Sequence, residues 1–158
     1  MKINNYVRLV IAIVICNLAG FIGSFFTVTS AGSWYSSIQK PVFNPPNWVF
    51  APVWTLLFIL MGISLYFIWE AGLKKKKVKI PLVFFGIQLI LNMLWSVFFF
   101  GLQNPLLAFI EIVILWIFIL LTIIRFFKVS RTAAYLLVPY ILWVGFAAVL
   151  NFSIFLLN

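Results

Sequence analysis

The chain has 158 residues, of which 66% are hydrophobic and 8% charged, against about 45–50% apolar and about 25% charged in ordinary soluble domains. So apolar a globule has too little polar surface to stay dispersed in water, and this places the chain in a membrane. Eleven basic residues against two acidic ones give a net charge of +9. They are few and locally clustered, so membrane orientation accounts for them better than nucleic acid does.

The composition also removes most enzyme chemistry. There is no His and no Asp; the acidic residues are Glu70 and Glu111, and the one cysteine is Cys16. A Ser-His-Asp triad, a Cys–His pair, an H-E-x-x-H zinc site, an EF-hand loop and His-ligated haem are excluded, and no P-loop motif occurs. No metal site and no intramolecular disulfide are expected. Function must rest on aromatic faces, amides, hydroxyls and backbone groups, which points to binding of a largely apolar molecule.

A hydrocarbon core of ~30 Å needs ~20 apolar residues in a helix. Five stretches meet this, at about 7–28, 49–72, 81–102, 105–127 and 133–156, predicting an all-α, polytopic membrane protein with a single five-helix domain over 1–158. The first apolar run exceeds the ~7–15 residues of a signal-peptide core, so it is expected to be retained as a span. It carries Ala12, Cys16, Gly20 and Ser24 at four-residue spacing, a pattern that lets membrane helices approach closely. Packing within the bundle is its leading use, with a homodimer seam as the alternative. Residues 29–47 follow as an outer loop and lid, with Thr29, Ser30, Gly32, Ser33, Pro41, Pro45 and Pro46. Five lysines interrupt the chain within 73–80. Gly101, Gln103, Asn104 and Pro105 mark the next break, Pro105 suiting a first helical turn. Arg125, Lys128 and Arg131 mark the last.

Counting basic residues by side gives the orientation. Lys2, Arg8, Lys74, Lys75, Lys76, Lys77, Lys79, Arg125, Lys128 and Arg131 fall on the N-terminal side, and Lys40 alone on the other. The positive-inside rule then predicts a multi-pass cell-membrane protein with its N-terminus in the cytoplasm and its C-terminus outside. The lysine run is read as topogenic in preference to a lipid or nucleic-acid patch. No internal repeat is evident, and five spans do not divide into equal inverted halves.

Depth along each helix, at ~1.5 Å per residue, gathers polar and aromatic groups at the outer end. Trp54, Asn92, Trp95, Trp143, Asn151 and Glu111 fall from mid-membrane outward, beneath Trp34, Tyr35 and Lys40 of the loop. On the fifth span Tyr140, Trp143, Ala147 and either Leu150 or Asn151 share a stripe, and Ala147 beside Trp143 leaves a notch for a flat ligand. Against a pocket of Trp54, Trp95 and Trp143 stands ordinary aromatic packing, to which Trp48, Trp69 and Trp116 are assigned. Asn92 and Asn151 must face the interior, where a hydrogen bond between helices and a ligand contact remain equal readings. For Glu111 a protonated or amide-bonded interhelical clamp, with Lys40 as the group it could face, is preferred to a functional carboxyl. Glu70 is placed beside Lys74 in solvent.

The segments GSWYSSIQKPVFNPPNWVFAPVW (32–54), LNMLWSVFFFG (91–101) and PYILWVGFAAVLN (139–151) resemble the tryptophan-rich sensory protein/translocator protein family, also known as the peripheral benzodiazepine receptor family. The resemblance extends over essentially the whole chain, and the W-Y-x-x-x-x-K-P-x-x-x-P-P block is highly specific. It implies a five-helix bundle, often dimeric, that binds protoporphyrin IX and other tetrapyrroles, isoquinoline carboxamide and benzodiazepine drugs and, in animal members, sterols. It also implies light-dependent oxidative degradation of protoporphyrin, as in several bacterial members. By motif match the ligand-binding residues would be Trp54, Asn92, Trp95, Trp143, Ala147 and Leu150, with Tyr35, Ala51, Val53, Leu107 and Ile114 as further wall. Trp54 and Trp143 would take the catalytic role.

Three positions depart from the family pattern. Phe43 stands where many members have Trp, and Leu107 where animal members can have Trp. The end of the fifth span, LNFSIFLLN, offers Phe152 in place of the tyrosine of a sterol motif and no basic residue, which argues against tight sterol binding.

Three functions are carried forward. The first is a tetrapyrrole-binding protein in which light and oxygen degrade the bound porphyrin. No tightly held cofactor is required, and indoles act where acid–base groups are missing. The second is a transporter of porphyrin-like solutes, disfavoured by an inner half whose polar groups reduce to Asn17, Ser64 and Gln88. The third is a regulatory or stress-sensing subunit whose loop meets another membrane protein.

Overall fold

The structure, a computed structural model, describes residues 4–32, 34–73 and 75–158, with the side chains of 28–31 and 76 outside that description. Lys2, Ser33 and Lys74, used in the sequence reading, lie outside the described residues, as do the side chains of Thr29, Ser30 and Lys76. Among the described residues five helical stretches are long and apolar enough to cross a bilayer, at Asn5–Thr27, Asn47–Glu70, Lys77–Gly101, Pro105–Phe127 and Arg131–Leu157. The described residues contain no strand. The chain is therefore an all-α, multi-pass membrane protein, as its hydropathy predicts.

The elements are α1 (Asn5–Ala31), α2 (Trp34–Ser37), α3 (Asn47–Glu70), α4 (Lys76–Ser96), α5 (Pro105–Phe127), α6 (Arg131–Leu136) and α7 (Val138–Leu157). Two boundaries differ from expectation. The first helix continues through Thr29 and Ser30 to Ala31, so the outer loop begins at Gly32. The helix expected from residue 81 begins at Lys76, with Pro81 inside it. Pro81 in α4 and Pro52 in α3 each lie within two turns of a helix start. The carbonyls they leave unpaired, on Lys77 and Trp48, thus sit at the membrane boundary, where water and headgroups reach them.

Beyond Ser96 the third span widens into a π-helical turn, Val97–Gly101, closed by Leu102 N–H donating to the Val97 carbonyl at 2.7 Å. The chain then reverses through Gln103 at φ 51°. Asn104 caps α5 by accepting from Leu107 N–H at 3.0 Å, with Pro105 in the first turn. The fifth span is likewise interrupted. Ser130 caps α6, Leu137 forms a joint, and Pro139 opens α7.

The spans pack in a ring. α1 lies against α3 and α4, α5 against α4 and α7, and α6 closes the circle on α3. Small residues set the α1–α3 contact: a Cβ on Gly62 would stand 2.4 Å from the Ile13 Cα, and one on Gly20 would stand 2.3 Å from the Phe58 ring. Ala12 and Cys16 are fully buried, so the small-residue stripe serves the bundle interior and not a dimer seam. Close backbone approach of this kind is how helices associate where lipid removes the hydrophobic drive.

At the end bearing the N-terminus the ring is tight. Ser64 donates to the Ala133 carbonyl at 2.7 Å, joining α3 to α6, and Met61, Ile68, Val78 and Phe126 fill the interior with no exposed surface. Arg8 and Glu70 pair at 2.8 Å across the ends of α1 and α3, so Glu70, exposed to solvent as expected, is also tied to the first helix. At the opposite end α3 and α7 diverge, bridged by ring contacts of Phe50 with Trp143 (6.1 Å) and Trp54 with Tyr140 (6.4 Å). That divergence opens the interior.

The fold makes Gly62 the least replaceable glycine. Gly62→Ala drives a methyl into backbone and is expected to cost about 1–3 kcal/mol. Gly86→Ala, where a Cβ meets nothing within 4 Å, should be neutral or slightly stabilising. Thermal melting of both variants in detergent checks this, and equal melting points would contradict the close approach.

Candidate functional site: an aromatic cavity under the outer loop

The divergence of α3 from α7 leaves a cavity of about 630 Å³, within the ~300–1,000 Å³ of small-molecule sites. α1 contributes Asn17, Gly20, Phe21, Ser24 and Thr27, and α3 contributes Phe50, Ala51, Trp54, Thr55 and Phe58. The third span gives Asn92, Trp95, Ser96, Phe99 and Phe100; α5 gives Ile112 and Leu115; α7 gives Trp143, Ala147, Leu150, Asn151 and Ile154. Tyr35 of α2 closes the top.

Eight of the eleven residues proposed from sequence therefore border one space: Tyr35, Ala51, Trp54, Asn92, Trp95, Trp143, Ala147 and Leu150. Three do not. Val53 packs against the core beside Trp54, while Leu107 (37% exposed) and Ile114 (43%) face outward. On α5 the inward stripe is Ala108, Glu111, Ile112, Leu115 and Ile119. Leu107 and Ile114 precede inward positions by one residue and so fall on the next face of the helix.

Five aromatic residues that sequence reasoning missed complete the walls, Phe21, Phe50, Phe58, Phe99 and Phe100, and a simple rule finds two of them. Trp54 stacks on Phe58 (5.8 Å) and Trp95 on Phe99 (5.1 Å, 18° between planes), each an i,i+4 neighbour on one helical face. Phe99 and Phe100 belong to the π turn, which no periodicity signals. It presents both rings to the lid, where Tyr35 meets them edge-on at 6.1 and 5.5 Å. Asn17, assigned from sequence to the inner half, lies at the cavity wall; its side-chain amide donates to the Ile13 carbonyl at 2.9 Å.

Below the cavity lies a polar knot. Asn92 Nδ2 donates to the Tyr140 hydroxyl at 2.9 Å, and that hydroxyl donates to Gln88 Oε1 at 2.9 Å. Higher up, Trp95 Nε1 donates to Asn151 Oδ1 (3.0 Å), and Asn151 Nδ2 donates to the Pro105 carbonyl (2.7 Å). Both asparagines thus make hydrogen bonds between helices, and both also border the cavity. Trp143 Nε1 is buried without a partner, an indole donor in a wall residue. Such a group costs about 1–3 kcal/mol unless something accepts from it. Glu111 is 4% exposed and neither carboxyl oxygen has a partner. The expected clamp to Lys40 does not form, because Lys40 Nζ donates to the Ile38 carbonyl (3.1 Å) and sits 4.6 Å over the Tyr35 ring.

The lid is braced within itself and tied to α7. Tyr35 Oη donates to Asn44 Oδ1 at 3.2 Å. Asn158, at the end of α7, accepts from Gln39 N–H (2.9 Å) and donates to its carbonyl (3.0 Å). Burial holds the Tyr35 phenol above its ordinary pKa, with the Asn44 bond acting the other way. Among the described residues no charged side chain lines the cavity. Among the described residues no cluster of His, Cys, Asp and Glu exists that would hold a metal ion.

Fold and site together define a class: a five-span membrane bundle with an apolar, indole-walled small-molecule cavity at one end. The profile of the TspO/MBR family matches residues 12–157. A tryptophan-rich protein TspO of Chlorobaculum tepidum is 50% identical over 150 residues, covering 95% of both chains. One from Archaeoglobus fulgidus is 48% identical over 154 residues, covering 98% of this chain and 99% of its own. The translocator protein of Bos taurus is 37% identical over 86% of this chain and 81% of its own. The chain belongs to the TspO/MBR family.

The Tyr140 knot generates a stability prediction. Tyr140→Phe removes one hydroxyl and leaves two buried amides short of a partner, at an expected cost of about 1–3 kcal/mol. Unfolding in detergent, monitored by circular dichroism, checks it; an unchanged transition would show that the knot contributes nothing.

Proposed function

We propose that the cavity binds a tetrapyrrole such as protoporphyrin IX and promotes its light-dependent oxidative degradation, and that it also accepts flat apolar drugs of the isoquinoline carboxamide and benzodiazepine type. The observation that carries this reading is the three indoles, Trp54, Trp95 and Trp143, bordering one 630 Å³ space with no charged group among the described residues of its wall. A planar, apolar macrocycle gains from aromatic faces at such a site. Its carboxylates would stay at the mouth, beneath the lid that carries Lys40.

The residues divide the work by what each can supply. Trp54, Trp95 and Phe99 offer ring faces, and Ala147 leaves the space beside Trp143 that a larger side chain would fill. Asn92 and Asn151 are held by their interhelical bonds at fixed positions in the wall. Trp143 presents a donor with no protein acceptor. In the degradation step the porphyrin absorbs light, dioxygen is the oxidant and the macrocycle is what becomes oxidised. The nearby indoles of Trp54 and Trp143 donate an electron or intercept a reactive oxygen species. The protein contributes position and exclusion of water, with no acid–base step required.

Binding is favoured over transport by the shape of the interior. The cavity is lined from one half of the bundle, and the other half is filled by Met61, Ile68, Val78 and Phe126, all fully buried. The distribution of basic residues supports a cytoplasmic N-terminus with the cavity end outside. A homodimer belongs to the same reading, on an outward face other than the small-residue stripe.

Trp143→Phe is expected to keep the fold and porphyrin binding while light-dependent porphyrin loss falls to the rate of free porphyrin in the same detergent. Absorbance of the porphyrin band under illumination, with a dark control, measures this. Unchanged bleaching would remove Trp143 from the mechanism.

A further inference from the structure

The end of the bundle opposite the cavity carries the cationic residues, and orientation alone requires only that they be there. Their arrangement at the α4–α5 seam goes further. The two helices run antiparallel in a register fixed by two contacts. Phe85 stacks on Phe126 (5.6 Å), and the Arg125 guanidinium lies 5.5 Å from the centre of the Phe84 ring. Phe84 also meets Phe118 at 5.9 Å. Phe118 and Arg125 lie two turns apart on one stripe of α5, so Phe84 sits between them across the seam.

The surroundings of this seam face outward. Ile80 and Val83 on α4 are 51% and 59% exposed, and Ile124 on α5 is 46% exposed. Half-buried aromatic rings therefore run along a lipid-facing seam, ending under a guanidinium at the level where hydrocarbon gives way to headgroups. Lys128 follows Arg125 by three residues, and Lys77 and Lys79 lie one to two turns from Phe84 toward the same end. All four basic residues are exposed. The only ion pair between described residues at this end is Arg8 with Glu70. Glu111, the other acid, is about 20 Å away along α5 at ~1.5 Å per residue.

We propose that this seam is a binding site for one anionic phospholipid. Its phosphate is held by Arg125 and Lys128, with support from Lys77 and Lys79, and an acyl chain lies along Phe84 and Phe118. The chemistry matches part by part. A guanidinium offers a planar fork of donors to phosphate oxygens. Its position over a ring removes rotamer freedom before the lipid arrives. The rings beneath present apolar surface at the depth of the first acyl carbons. A zwitterionic lipid with the same chains supplies the apolar contact, but its own cation opposes the four basic residues.

The test uses the full chain released from detergent micelles doped with equal amounts of phosphatidylglycerol and phosphatidylcholine bearing the same acyl chains, with retained lipid counted by native mass spectrometry. The expected result is preferential retention of a single phosphatidylglycerol per chain. Arg125→Gln with Lys128→Gln should lower that preference about tenfold or more, while Lys40→Gln at the opposite end leaves it unchanged. Phe84→Leu, which keeps the charge and removes the ring, should lower it by a smaller factor. Circular dichroism confirms that each variant is folded. Equal retention of the two lipids by the native chain, or an equal loss in Lys40→Gln, would overturn the site.

Discussion

The hydroxyl of Tyr140 is the interaction on which the arrangement of the cavity depends. It donates to Gln88 and accepts from Asn92, joining α7 to α4 across the middle of the bundle. No water is at hand in a bilayer interior to replace either bond. Below this knot the ring of helices is closed by α6 against α3 and filled with side chains. Above it α3 and α7 part, and the interior becomes a cavity. The knot is thus the floor, the lid of Tyr35, Asn44 and Lys40 is the roof, and the indoles stand between them.

Rigidity and vacancy are distributed to match. The wall residues with polar groups are nearly all engaged by protein. Asn92 is held by Tyr140, Trp95 by Asn151, and Asn17 and Thr55 by carbonyls of their own helices. Among the described wall residues, Trp143 Nε1 is the buried polar atom left without a partner. A site with fixed walls and a buried unpaired donor loses little entropy on binding and rewards a ligand that brings an acceptor to it. This favours a flat, mostly apolar molecule over an ionic one.

Much of the fold was legible in the sequence because the bilayer imposes few solutions. Runs of about twenty apolar residues broken by Gly, Pro, Lys and Arg give five spans, and depth counting brings Trp54, Trp95 and Trp143 to one end. What was not legible depends on helix rotation and on local departures from regular geometry. Leu107 and Ile114 differ from Ala108 and Leu115 by one position each, and in so apolar a helix hydropathy does not fix which faces inward. The π turn at Val97–Gly101 follows an unbroken apolar run, so nothing in the pattern marks it. Pro81 reads as a helix start, yet two turns of tolerance let α4 begin at Lys76. The pairing of Glu70 with Arg8 crosses between α1 and α3, whose adjacency no local signal carries.

If a ligand resides in the space beneath the lid, filling that space must abolish its binding. In the dark, protoporphyrin IX titrated into the purified chain in detergent should quench tryptophan fluorescence saturably with one equivalent. In Ala147→Phe, where a ring occupies the notch beside Trp143, the saturable component should vanish while the protein remains folded. Saturable quenching of undiminished affinity in that variant would contradict the account, because the porphyrin would then be bound somewhere else.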